Sequence, residues 1–78
     1  MYSSVISLNE AKIGEICTVC SLLARGEDRR RLLDLGLIQG TKIEILGKSP
    51  FGDPTAYSIR GAIIALRCDD AEKIIVKI

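Results

Sequence analysis

The side chains in this chain best suited to chemistry are three cysteines, a run of three arginines and a glycine-spaced loop, and no histidine accompanies them. Histidine is the usual proton shuttle near neutral pH and the commonest metal ligand, so its absence closes the simplest routes to acid–base or metal catalysis. Cys17 and Cys20 stand three apart, with Cys68 far away. A redox pair at that spacing needs its first cysteine at a helix start, and a zinc ribbon needs a second pair. Here the pair falls in an alternating stretch that reads as a strand, where residues three apart face opposite sides. Small core side chain and surface thiols are the expected roles, with no metal and no cofactor assigned. The serines have no evident activating base, so no catalytic residue and no enzymatic activity are expected.

Gly47-Lys48-Ser49-Pro50-Phe51-Gly52 has the glycine spacing of a phosphate-binding loop. That motif needs Lys and then Ser or Thr directly after the second glycine, opening a helix. Asp53 and Pro54 stand there instead, and an aspartate would repel phosphate. The stretch therefore reads as a turn. Arg29-Arg30-Arg31 could meet nucleic-acid phosphates, but Glu27, Asp28 and Asp34 offset them and no aromatic residues interleave. The net charge is only +1, which gives no general pull towards nucleic acid or anionic lipid. A salt-bridged, solvated face is the better reading, with Glu27–Arg31 and Arg30–Asp34 as expected pairs. A protein-docking rim is the functional alternative: Arg29 and Arg30 with Lys48, Phe51 and Asp53, arginine supplying bidentate pairing and Phe51 an anchor. Phe51 could equally cap one end of the core.

These residues must be positioned by one small domain, since 78 residues cannot build two cores. With one Phe, two Tyr and no Trp, that core has to be aliphatic. No N-terminal stretch reads as a secretory signal and no apolar run approaches the roughly 20 residues that span a bilayer. Reduced thiols in a cytoplasmic protein are expected.

Residues 1–6 read as a flexible lead-in and 7–78 as the domain. Ser7-Leu8-Asn9-Glu10 has capping-box spacing and predicts one helical turn. Residues 16–23 predict a strand with a bulge or end near Ser21, because Leu22 breaks the alternation. A helix is predicted over about 27–35, with acidic residues in its first turn. Its cap falls at Leu35, so Gly36 occupies the position that wants a left-handed backbone, and Leu37 should pack back on Leu32. After Gly40, residues 41–46 alternate, with Ile43 and Ile45 on one face. Residues 47–54 hold two prolines and two glycines and predict a structured loop without regular pairing. Residues 55–59 and 62–67 predict two strands around a tight Arg60-Gly61 turn. Residues 69–72 predict a polar turn, and 74–78 a last strand. The sum is mainly β: about five short strands and one internal helix, a small closed or half-open barrel.

Arg31-Leu32-Leu33-Asp34-Leu35-Gly36-Leu37, Gly40-Thr41, Ser49-Pro50-Phe51-Gly52-Asp53-Pro54, Arg60-Gly61 and Ala65-Leu66-Arg67, followed by Ala71 and Ile74, together resemble the FeoA family over nearly the whole chain. The resemblance implies an SH3-like barrel. It implies a cytoplasmic accessory role in bacterial ferrous iron uptake, with FeoB as partner, a membrane permease that carries a GTPase domain. A similar domain ends the DtxR-type metal-dependent repressors, so a regulatory or interaction domain of a metal-responsive transcription system is the alternative. No winged-helix segment precedes this domain here, and the stand-alone protein is expected. Leu32, Leu35, Gly36, Leu37, Gly40, Pro50, Gly52, Pro54 and Gly61 are assigned to structure. Gln39 stands where the family often has Pro, which should loosen the helix-to-strand corner.

Overall fold

The structure, a computed structural model, describes residues 5–78. Six strands form a single antiparallel sheet: β1 (Val5–Ser7), β2 (Ile16–Leu22), β3 (Lys42–Lys48), β4 (Thr55–Ile59), β5 (Ala62–Leu66) and β6 (Ile74–Lys77). Helix α1 (Gly26–Asp34) joins β2 to β3, and a short helix α2 (Cys68–Glu72) joins β5 to β6. The spatial order is β1-β6-β2-β3-β4-β5. The C-terminal strand therefore inserts between β1 and β2. Among the described residues the sheet does not close: β1 and β5 lie at opposite edges, each paired on one side.

Alternation in the sequence becomes the two faces of this sheet. Cys17, Val19, Ile43, Ile45, Tyr57, Ile59, Leu66, Ile74 and Val76 are buried, together with Leu8, Leu32 and Leu37 from outside the strands. Among the described residues Tyr57 is the one aromatic in this core, and burial pushes its hydroxyl above its ordinary pKa, with neighbouring Thr55 acting the other way. Two bulges bend the sheet around this core: register shifts between Val19 and Ser21 on β2 and between Ile45 and Gly47 on β3. The first lies where Leu22 broke the sequence period.

Several expectations need correction. β1 begins inside the stretch read as a lead-in, with Val5 opposite Lys77; residues 1–4 lie outside the described residues. Among the described residues six strands form, where about five were expected. β3 continues into the expected loop, with Gly47 opposite Ala56 and Lys48 opposite Thr55, because the bulge restores the pairing register. Residues 68–72 are helical, not a simple turn, because an acceptor from a distant loop caps them. Ser7-Leu8-Asn9-Glu10 does form one turn, a 3₁₀ segment in which Ser7 N–H donates to Glu10 Oε1 at 3.1 Å.

The end of α1 follows its local sequence closely. Gly36 has φ +99°. Its N–H donates to Leu33 O at 2.9 Å, and Leu37 N–H donates to Leu32 O at 3.1 Å. These are the two bonds that close a left-handed helix stop and satisfy otherwise orphaned carbonyls. They turn Leu37 inward, so it and Leu32 are both fully buried, with Leu35 packed at the margin. The corner beyond is tied down despite Gln39: Thr41 N–H donates to Ile38 O, and Gly40 N–H to Val19 O, at 3.0 and 2.9 Å. In the β4–β5 turn both Arg60 (φ 52°) and Gly61 (φ 84°) are left-handed, as a two-residue hairpin of type I′ requires.

Candidate functional site

Helix α2 is where one candidate residue, Asp53, meets residues from other segments of the chain. Asp53, at the end of the proline–glycine loop, accepts a hydrogen bond from Cys68 N–H at 2.8 Å through Oδ1. The carboxylate thus meets the first turn of α2, where the backbone N–H groups have no helical partner and negative charge is favoured. Two residues on, Asp70 Oδ1 accepts from Arg31 Nη2 of α1 at 2.8 Å. This bond holds the Arg31 guanidinium above its ordinary pKa, with Asp70 as first cause and Asp28 assisting weakly. Asn9 Nδ2 donates to Cys68 Sγ at 3.4 Å, bringing the 3₁₀ segment to the same place. Five residues therefore join a loop, two helices and a 3₁₀ turn that are distant in sequence.

The loop leading to Asp53 is ordered by its own backbone. Ser49 N–H donates to Pro54 O and Gly52 N–H to Ser49 O, at 3.0 and 2.8 Å, and Ser49 Oγ donates to Asp53 O at 2.7 Å. Phe51 rides on this frame at 96 % exposure. It caps nothing. Lys48 is exposed at the loop's base, beside a groove formed with Leu46, Pro54 and Ala65.

The helix arginines divide. Arg29 Nη1 donates to Leu22 O at 3.3 Å, so Arg29 lies against the end of β2, beside Cys20 and Gln39. Arg30 borders a separate groove with Glu27, Asp34 and Leu35. The expected pairs Glu27–Arg31 and Arg30–Asp34 are replaced. Arg31 turns to Asp70 and, at 4.0 Å, Asp28; Asp28 also meets Lys73 at 3.8 Å. A cross-element acceptor at 2.8 Å outcompetes an exposed partner four residues away on the same helix, worth only about 0.2–0.5 kcal/mol.

The cysteines separate in the manner expected of a strand pair. Cys17 is buried and its thiol is pushed up to about 11, first by burial and then by Glu15 and Cys20. Cys20 is half-buried and Cys68 exposed. Among the described residues, no three His, Cys, Asp or Glu side chains gather as a metal site would require. No helix among them is long and apolar enough to cross a membrane.

The sequence reading missed an open groove of about 610 Å³ between the exit of α1 and the β4–β5 hairpin. Ile16, Ile38, Lys42, Glu44, Ser58 and Arg60 border it. Ile16 and Ile38 are 60 % and 44 % exposed. Ile38, one residue past the helix stop and unable to follow Leu37 inward, was the available signal.

The family model for the FeoA domain matches residues 6–78. A relative from Porphyromonas gingivalis, an Fe(2+) transport protein A/Fe(2+) transporter FeoB fusion protein, is 32 % identical over 71 residues. That match takes in 91 % of this chain but only 8 % of the relative's length. The solution structure of FeoA protein from Chlorobium tepidum is 40 % identical with a TM-score of 0.87, covering 94 % of this chain and 70 % of that one. A Stenotrophomonas maltophilia FeoA complexed with zinc, described as an SH3 domain protein, is 25 % identical with a TM-score of 0.78, covering 97 % and 89 %. A manganese-dependent transcriptional repressor shares the fold at 19 % identity and a TM-score of 0.85, over 99 % of this chain and 43 % of its own.

Proposed function

The chain belongs to the FeoA domain family, which is associated with ferrous iron transport, and on that premise we propose that it is a non-enzymatic accessory protein docking on the cytoplasmic side of a FeoB-type permease. One observation carries this reading. In the Porphyromonas gingivalis relative, Fe(2+) transport protein A and the Fe(2+) transporter FeoB are fused in a single polypeptide. Covalent linkage holds two modules at high effective concentration, and it is retained most simply where separate chains would otherwise have to find each other. The domain in this reading is held at the inner face of the membrane by its partner and alters the transport or GTPase cycle.

The docking surface we assign is the loop with its flanking charges: Phe51 as apolar anchor, Lys48 at the loop base, and Arg30 on the helix face. Phe51 suits this role because an aromatic side chain at 96 % exposure on a hydrogen-bonded loop loses little freedom on binding. Asp53 serves by fixing that loop to α2 rather than by touching the partner. Arg29, turned to β2, contributes at the edge.

The test is binding of the intact chain to the cytoplasmic portion of the permease, comparing wild type with Phe51→Ala and Arg30→Glu. Phe51→Ala should weaken binding by about tenfold or more, a loss of about 1.4 kcal/mol, while the fold stays intact. Equal affinity for all three proteins would remove the assigned surface, and no binding by wild type would remove the docking itself.

A further inference from the structure

Strand β5 is an unprotected sheet edge. Its five residues, Ala62-Ile63-Ile64-Ala65-Leu66, pair with β4 without a bulge, from Ile59↔Ala62 to Thr55↔Leu66. No strand lies on its other side among the described residues. Proteins ordinarily blunt such an edge with a charge, a proline, a bulge or extreme shortness. None of the first three occurs in β5, and Ile63 on it is 75 % exposed. The opposite edge, β1, spans three residues among those described.

The hydrogen-bonding pattern of this edge is self-matching. In a two-residue hairpin the pair flanking the turn, Ile59 and Ala62, exchanges both its bonds, and the pattern then alternates. Ala62, Ile64 and Leu66 therefore spend their N–H and C=O groups on β4. Ile63 and Ala65 direct theirs away from the sheet. A two-fold axis through Ile64 would place Ile63 of one copy opposite Ala65 of the other, and the reverse. Both donors and both acceptors on each strand are then satisfied, with no residue left over. The side chains agree with this register: the large Ile63 faces the small Ala65 twice on the outer face, and Ile64 meets Ile64 on the inner. The same axis carries Arg60 of each copy opposite Cys68, at the start of α2 of the other, while Arg67 falls opposite Gly61.

We propose that β5 is a homodimer interface, in which two copies pair antiparallel about Ile64 into one continuous twelve-stranded sheet. The occupant is a second copy rather than a foreign peptide, because a strand without a charged residue of its own selects for hydrogen-bond register and apolar size, and this strand matches itself in both.

The test uses the full chain alone, by sedimentation equilibrium across a concentration series up to about 1 mM, where even a Kd of that order populates the dimer. The expected mass rises from the 8.5 kDa chain to twice that value. Hydrogen exchange at the Ile63 and Ala65 amides should slow with concentration, and that at other β5 amides should not. Ile63→Lys, placing a charge on an exposed edge position, should weaken dimerisation by about tenfold or more with an unchanged circular dichroism spectrum. Phe51→Ala should dimerise as wild type does, which keeps this interface separable from the docking loop. A chain monomeric throughout overturns the proposal, as does an Ile63→Lys variant that dimerises equally well. Protection of the two amides only on adding permease fragment would also overturn it, showing a foreign strand as the occupant.

Discussion

Replacing Gly36 by alanine probes the helix stop directly, because the two costs it incurs can be separated. The first is conformational. Gly36 sits at φ +99°, where an L side chain brings its Cβ against the backbone for about 1–2 kcal/mol. The second is steric: a Cβ built there lies 2.9 Å from Arg60 Cδ and 3.8 Å from Ile59 Cγ2. Arg60 is exposed and its side chain can swing away, so this contact adds less than the backbone strain. For 78 residues the whole fold is worth about 4–12 kcal/mol, so Gly36→Ala should stay folded. At about 4–8 °C per kcal/mol, its Tm should fall by roughly 5–15 °C. Gly36→Val, with a stiff branched side chain facing both Arg60 and Ile59, should lose more and reach unfolding at ordinary temperature. Thermal and urea denaturation of Gly36→Ala, Arg60→Ala and the double variant read the partition. The double variant should recover only the smaller, steric share. A Tm for Gly36→Ala equal to wild type would refute the left-handed stop. Full recovery in the double variant would refute the backbone account and leave only a packing clash.

Further expectations concern the residues around it. Asp53→Ala should cost about 0.5–2 kcal/mol, the usual worth of a helix cap, and expose the Cys68 amide to faster hydrogen exchange; unchanged exchange would mean α2 stands without the loop. Phe51→Ala should shift stability by less than about 0.5 kcal/mol, since a side chain 96 % exposed has no packing to lose. Thiol labelling of the native protein should modify Cys68 readily and Cys17 only on unfolding. Cys17 also sets an alkaline limit. The folded state holds its proton to about pH 11, whereas the unfolded chain releases it near 9.0. Its contribution is complete below pH 9 and lost as pH rises towards 11, so urea midpoints should drop across that window, and less steeply in Cys17→Ala.

Some of what the chain states about itself locally survived in three dimensions. Leu32, Gly36 and Leu37 announce a helix stop because its chemistry is contained in six consecutive residues: two hydrogen bonds, one left-handed backbone and one apolar pair. Arg60-Gly61 announces a hairpin, and Ile43 and Ile45 a buried face, for the same reason of short range. Phe51 was readable as a loop residue, but its exposure was not, because nothing nearby in sequence tells whether a second layer covers it.

Tertiary structure decided everything that depends on two distant segments meeting. Asp53 and Cys68 are fifteen residues apart, and Arg31 and Asp70 thirty-nine; no periodicity links them, yet together they turn a polar stretch into a helix and redirect an arginine from its own helix. The place of β6 between β1 and β2 likewise follows from which apolar faces can share one core, and it leaves β5 at an open edge. The sequence alone determined a small aliphatic β domain closed off by a leucine-bearing helix, since burial periodicity is written residue by residue. Which carboxylate holds which amide, and which strand remains unpaired, are set by spatial proximity that only the folded chain creates.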